Sequence, residues 1–163
     1  ANVLTQRLGE LEQRGLVRKT KLPPPASVQV YEATPWGLEA APGIPALARW
    51  AVRSPRHAPE QYVSPVWIMM SMQTMFDAGR AQGIEARVGF RFGDLTFTAD
   101  VAGGQIEVRR TEPEGADLTF RGSPDQIAGL LYGGAPLDVI EFEGGRRLAE
   151  RFATLFPLPP KVE

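Results

Sequence analysis

The sequence contains no cysteine and a single histidine, His57. These shortages exclude disulfides, thiolate nucleophiles and cysteine metal sites, and they leave too few imidazoles for a histidine metal cluster or a Ser-His-Asp triad. No apolar run approaches the roughly 20 residues that a membrane-spanning helix needs. No signal-peptide pattern opens the chain, so a cytoplasmic protein is expected, shortened at its N-terminus because the first residue is not methionine. Net charge is also scarce, at −1, but it is unevenly spread. Residues 1–57 hold eight Lys/Arg against four Asp/Glu, whereas residues 58–163 hold ten against fifteen. A basic first third beside an acidic remainder points to a nucleic-acid-binding part and a part with another task, the alternative being chance scatter. What the chain does have is 43% apolar residues over a length that suits one domain or two small ones. The polar, proline-bearing stretch Arg53-Ser54-Pro55-Arg56-His57-Ala58-Pro59 reads as a boundary, giving domains 1–57 and 58–163.

Residues 2–14 carry Leu4, Leu8 and Leu11 at i, i+4 and i+7, one apolar stripe of a helix. Gly15 then stands where a left-handed C′ residue would stop it, with Leu16 placed to pack back on Leu11. Val17–Lys21 and Val28–Tyr31 read as a hairpin across Leu22-Pro23-Pro24-Pro25-Ala26-Ser27, where missing N–H groups cost no ladder bonds. At 100° per residue, Asn2, Gln6 and Gln13 lie opposite the leucines, with Thr5 and Arg7 on the flanks. Asn and Gln can pair with adenine and Arg with guanine in the major groove. Asn2, Thr5, Gln6 and Arg7 are therefore candidate base-reading residues, and Arg18, Lys19 and Lys21 candidate phosphate contacts. Solvated faces of an ordinary helix-and-hairpin unit would show the same residue types. The combination of glycine stop, basic strand and proline-rich tip favours DNA.

Beyond the hairpin, Thr34-Pro35, Ser64-Pro65 and Ser123-Pro124 each read as an N-cap followed by proline at N1. The first opens a helix that ends or kinks near Pro42-Gly43, and a further helical stretch runs from about Pro45 to Val52. The second opens a helix over Val66–Phe76 that gathers all four methionines, Met69, Met70, Met72 and Met75. Methionine is adaptable enough to line a cavity of variable shape, and equally common as plain core. Strands are expected at Glu85–Phe92, Leu95–Val101, Gln105–Arg110 and Asp117–Arg121, the first three joined by tight turns at Gly93-Asp94 and Gly103-Gly104. A helix after Ser123, a short strand near Val139–Phe142 and a last amphipathic helix with Leu148, Phe152, Leu155 and Phe156 complete a mixed α+β pattern, a mainly antiparallel sheet covered by helices.

Leu4-Thr5-Gln6-Arg7-Leu8, Leu11-Glu12, Gly15-Leu16-Val17, Tyr31-Glu32-Ala33-Thr34-Pro35-Trp36-Gly37 and Leu47-Ala48-Arg49-Trp50 together resemble the HxlR family of bacterial winged helix-turn-helix regulators, from the first residue to about Pro55. The resemblance implies a homodimer on a palindromic operator in double-stranded DNA, with Asn2, Thr5, Gln6 and Arg7 on the reading helix. The helices that precede the reading helix in that family are absent from this sequence. Ser64-Pro65 before an apolar helix, the meander, Ala116-Asp117, Leu130-Leu131-Tyr132-Gly133-Gly134 and the closing Leu155-Phe156-Pro157 resemble a sterol-carrier-protein-like domain. That likeness implies an apolar tunnel for a fatty acyl or sterol-like small molecule, with Val66, Met69, Met70, Leu131 and Phe152 as candidate lining.

The expected function is a transcriptional regulator, dimeric and DNA-binding, whose C-terminal domain senses an apolar, lipid-like ligand. The alternative is a constitutive DNA-binding protein whose second domain serves dimerisation or protein contact. No catalytic residues, metal or cofactor are expected. Ser64 and Ser123 are spoken for as helix caps, His57 falls in the boundary segment, and Glu141 and Glu143 are near neighbours on one strand.

Overall fold

The structure is a computed structural model and describes residues 3–57 and 63–162. Asn2 lies outside the described residues. The chain divides into two compact units, Ala1–Ala48 and Arg49–Glu163.

In the first unit, helix α1 spans Val3–Gln13. Its end is a Schellman cap: Gly15, at φ +75°, donates its N–H to the carbonyl of Glu12, and Leu16 donates to that of Leu11. Both distances, 2.9 and 3.0 Å, are those of good hydrogen bonds, so two carbonyls of the last turn are satisfied. The chain then enters an antiparallel hairpin, β1 (Val17–Lys21) with β2 (Gln29–Ala33), in the register Val17 opposite Ala33 and Lys19 opposite Tyr31. The second strand starts one residue later and ends two later than the sequence pattern suggests. Thr34 joins these pieces. Its hydroxyl donates to the Gly15 carbonyl at 2.6 Å and accepts the N–H of Gly37 at 3.0 Å, capping helix α2 (Pro35–Glu39). Gly37 is small for a reason: a Cβ there would collide with the Leu16 carbonyl. Helix α3, Gly43–Ala51, follows and begins two residues before Pro45, which a first-turn proline permits because its missing N–H has no partner to lose.

The second unit contains helix α4 (Pro65–Met75), strands β3 (Ala86–Phe92), β4 (Leu95–Ala102), β5 (Gln105–Arg109) and β6 (Leu118–Arg121), helix α5 (Pro124–Tyr132), a single 3-10 turn at Leu137–Val139, strand β7 (Glu141–Gly144) and helix α6 (Arg146–Ala153). Ser64 caps α4 through the Trp67 N–H, and Ser123 caps α5 in a reciprocal box with Gln126. The sheet order is β5-β4-β3-β6-β7. All pairings are antiparallel except β3 with β6, which run parallel in the register Phe90 opposite Phe120. A simple meander would have placed the fourth strand beside β5. Instead, residues 110–117 cross back over the polar face of the sheet, and Pro113 lies on Gly89. Among the described residues no helix is long and apolar enough to cross a membrane.

The apolar face of this sheet is built on phenylalanine. Phe90, Phe120, Phe152 and Phe156 are essentially inaccessible, with ring centroids 5.7 Å apart for Phe90–Phe120, 6.0 Å for Phe90–Phe152 and 5.1 Å for Phe152–Phe156. Ile68, Met69, Met72 and Met75 from α4 and Ile127, Leu130 and Leu131 from α5 belong to the same core. The opposite face is polar and paired: Arg87 and Arg109 share Asp100, Arg91 binds Glu112, and Arg121 binds Glu143. The C-terminal tail returns to the start of the unit. The Lys161 ammonium donates to the carbonyls of Val52 and Ser54 at 2.9 and 3.1 Å, and Val162 donates its N–H to the Arg53 carbonyl.

Two substitutions probe this packing by urea unfolding. Phe152→Ala is expected to lower the unfolding free energy by about 3–5 kcal/mol, because the rings around it leave little scope for collapse. Gly89→Ala should cost about 1–3 kcal/mol, since its methyl meets Pro113 and Thr119. A loss below about 0.5 kcal/mol, the usual scale for a surface change, would show that the crossover yields freely.

Candidate functional site

On the first unit, Thr5, Gln6 and Arg7 are exposed together near the start of α1, and Arg18, Lys19 and Lys21 are exposed along β1. The polar side chains are not idle. Gln6 and Arg7 both reach Glu10, at 3.1 and 2.7 Å. Arg18 binds Glu32 across the hairpin at 2.9 Å, and Lys19 binds Glu12 at 2.9 Å while lying over the Tyr31 ring. The hydrogen bond to Glu12, with its charge, raises the Lys19 pKa, so the ammonium persists through the physiological range. Exposed pairs of this kind are weak, so a stronger anion can take over either cation at small cost. Around them the unit shows much apolar surface. Val3 and Leu4 on α1, Trp36 and Leu38 on α2, and Ile44 and Leu47 on α3 are all more than half exposed.

The five apolar candidates of the second unit do not come together in one cavity. Val66 and Met70 face solvent, whereas Met69, Leu131 and Phe152 belong to the packed core, Phe152 at its centre. The reason lies in the helix. Along α4, Ile68, Met69, Met72 and Met75 form the buried side, and Val66 and Met70 fall on the other.

A cleft of about 300 Å³ opens instead between α4 and α5, lined by Val63, Trp67, Asp125, Ala128, Gly129, Tyr132, Gly133 and Leu158. The small residues Ala128, Gly129 and Gly133 leave the groove, and Trp67 and Tyr132 supply aromatic walls. The Tyr132 hydroxyl lies 2.8 Å from the Ser71 hydroxyl, which itself donates to the Ile68 carbonyl, so the ring is anchored to α4. Burial pushes the Tyr132 phenol up to about 12, opposed in part by the Ser71 hydrogen bond, and it stays neutral at any physiological pH. Asp125 is the charged member of the lining. It forms no ion pair among the described residues, and no group of acidic and histidine side chains there is arranged to hold a metal ion. Sequence reasoning missed Trp67, Tyr132 and Leu158. The readable signal was the spacing of Gly129 and Gly133, one helical turn apart at the end of α5.

No protein-family model matches the chain, and no curated protein sequence matches it. Its structure is similar to that of a stereoselective inverting sec-alkylsulfatase, Pisa1, from Pseudomonas sp., with 17% sequence identity and a TM-score of 0.53. The S233Y F250G double mutant of the same sulfatase matches with a TM-score of 0.51 at the same identity. In both cases 62% of this chain is covered but only 18% of the sulfatase, so the chain spans under a fifth of those proteins. At this identity the likeness shows a shared fold and nothing of activity. A ubiquinone synthesis protein, UbiJ-SCP2, aligns over 71% of this chain and 94% of its own length at 17% identity, but its TM-score of 0.38 is too low to carry an argument.

The raised Tyr132 pKa makes a stability prediction. Because the folded state holds the neutral phenol more strongly than the unfolded chain does, this contribution is complete below about pH 10. It is lost as pH rises from about 10 towards about 12. Tyr132→Phe should abolish that part of the alkaline loss in urea unfolding. An unchanged alkaline profile in the variant would show that the phenol is not the titrating group.

Proposed function

We propose that the chain belongs to a dimeric, DNA-binding transcriptional regulator whose second unit takes an apolar, lipid-like small molecule. The observation that carries this reading is the continuous path from α1 through the Gly15 cap into a basic two-stranded ribbon. A short helix with an exposed polar start suits the major groove, and a ribbon bearing Arg18, Lys19 and Lys21 suits the flanking phosphates. The carboxylates of Glu12 and Glu32 keep Lys19 and Arg18 extended until phosphate replaces them. Homodimer formation is supported by the exposed apolar residues of α2 and α3, Trp36, Leu38, Ile44 and Leu47. A palindromic operator follows from the two-fold symmetry of such a dimer. The fold likeness to alkylsulfatases brings no reaction to this chain.

A second reading has its own support. The phenylalanine rings lie 5.1 to 6.2 Å apart in close packing, which favours a constitutive DNA-binding protein whose second unit serves dimerisation or protein contact. The two readings part on whether a small molecule bound to the second unit alters operator affinity, which requires differential binding to the two states.

Fluorescence anisotropy against selected palindromic and random duplexes, over a range of salt concentrations, tests the DNA assignment. Lys19→Ala with Lys21→Ala is expected to weaken binding about equally on all duplexes and to reduce the salt slope by about two. Thr5→Ala or Gln6→Ala should relax sequence preference with the salt slope unchanged. Absence of duplex binding by the parent chain, or a lysine effect confined to one base pair, would sink the assignment.

A further inference from the structure

We infer that the cleft between α4 and α5 takes an amphiphile whose polar end is a protonated amine rather than a carboxylate. The inference rests on the reading of the second unit as ligand-binding and is independent of the DNA reading. The lining separates into two kinds of surface. Val63, Ala128 and Leu158 present apolar atoms, and the groove beside Gly129 admits a chain or flat ring against them. Trp67 and Tyr132 complete the lining as aromatic walls.

The remaining feature is Asp125, exposed on the first turn of α5 and without an ion-pair partner among the described residues. A fatty acid entering tail-first would leave its carboxylate at this rim, against a like charge. An ammonium in the same place meets a carboxylate. Tyr132 cannot offer a second negative charge, because its phenol is neutral and committed to Ser71. Of the fatty acyl and sterol-like molecules that the sterol-carrier likeness implies, a free fatty acid is the one this rim disfavours.

The test is displacement of N-phenyl-1-naphthylamine from the full chain by dodecylamine, dodecanol and dodecanoate, each below its micellar concentration and near neutral pH. Dodecylamine is expected to displace the probe at about one-tenth of the dodecanoate concentration. Asp125→Asn should bring the amine to the level of dodecanol and leave dodecanol itself unmoved. Trp67→Ala should weaken all three, with unchanged circular dichroism in both variants.

Dodecanoate binding as tightly as the amine, or an amine preference that survives Asp125→Asn, would overturn the inference while leaving a ligand-binding unit. Displacement unaffected by Trp67→Ala would place the site elsewhere and overturn it too. Failure of all three molecules to displace the probe would overturn the inference together with the ligand-binding reading.

Discussion

The second unit depends on the contact of Phe90 with Phe120 across a parallel strand pair. Those two residues stand opposite each other in register, and Phe152 from the final helix rests on both rings. Strand β6 is short, four residues, and β7 beyond it is no longer, so neither has much ladder energy to hold it. Ring burial fixes their place. Phe142 of β7 packs against Phe120, and Phe152 of α6 lies over Phe90 and Phe120. The crossover before β6 is the route that makes this arrangement possible, and it runs where the sheet carries glycine rather than a side chain.

That core also decides what the unit is able to hold. Three of the four methionines of α4 are spent inside it, together with the apolar side of α5. The cleft lies on the flank of this core where α5 presents alanine and glycine. A site of that kind has one wall set by buried packing and another open to solvent. Its selectivity then comes from the rim as much as from the interior, which gives a single carboxylate at the mouth unusual weight.

Much of this architecture is written locally. Gly15 with Leu16 and Leu11, Thr34 with Pro35, Ser64 with Pro65, and Ser123 with Gln126 are cap patterns whose partners lie within a few residues, and the structure forms each of them. The tight turns at Gly93-Asp94 and Gly103-Gly104 follow the same logic. The parallel pairing of β6 was not legible, because it depends on which strand Phe120 meets after a crossover, a choice made by tertiary packing. The cleft was hidden for a related reason. Periodicity identifies the residues that a helix buries, such as Met69 and Leu131, but a gap is defined by what two helices fail to fill. Asp125 reads from sequence as an ordinary first-turn acid, and only its place in the lining of the cleft gives it another meaning.

The ammonium of Lys161, seated on carbonyls from Val52 and Ser54, brings the last residues of the second unit beside its first. A module whose entry and exit lie side by side can be spliced into a host polypeptide at one surface point, without the host having to span it. Its fold is then portable. A stretch of a much longer sulfatase shares a fold with part of this chain, in keeping with such portability.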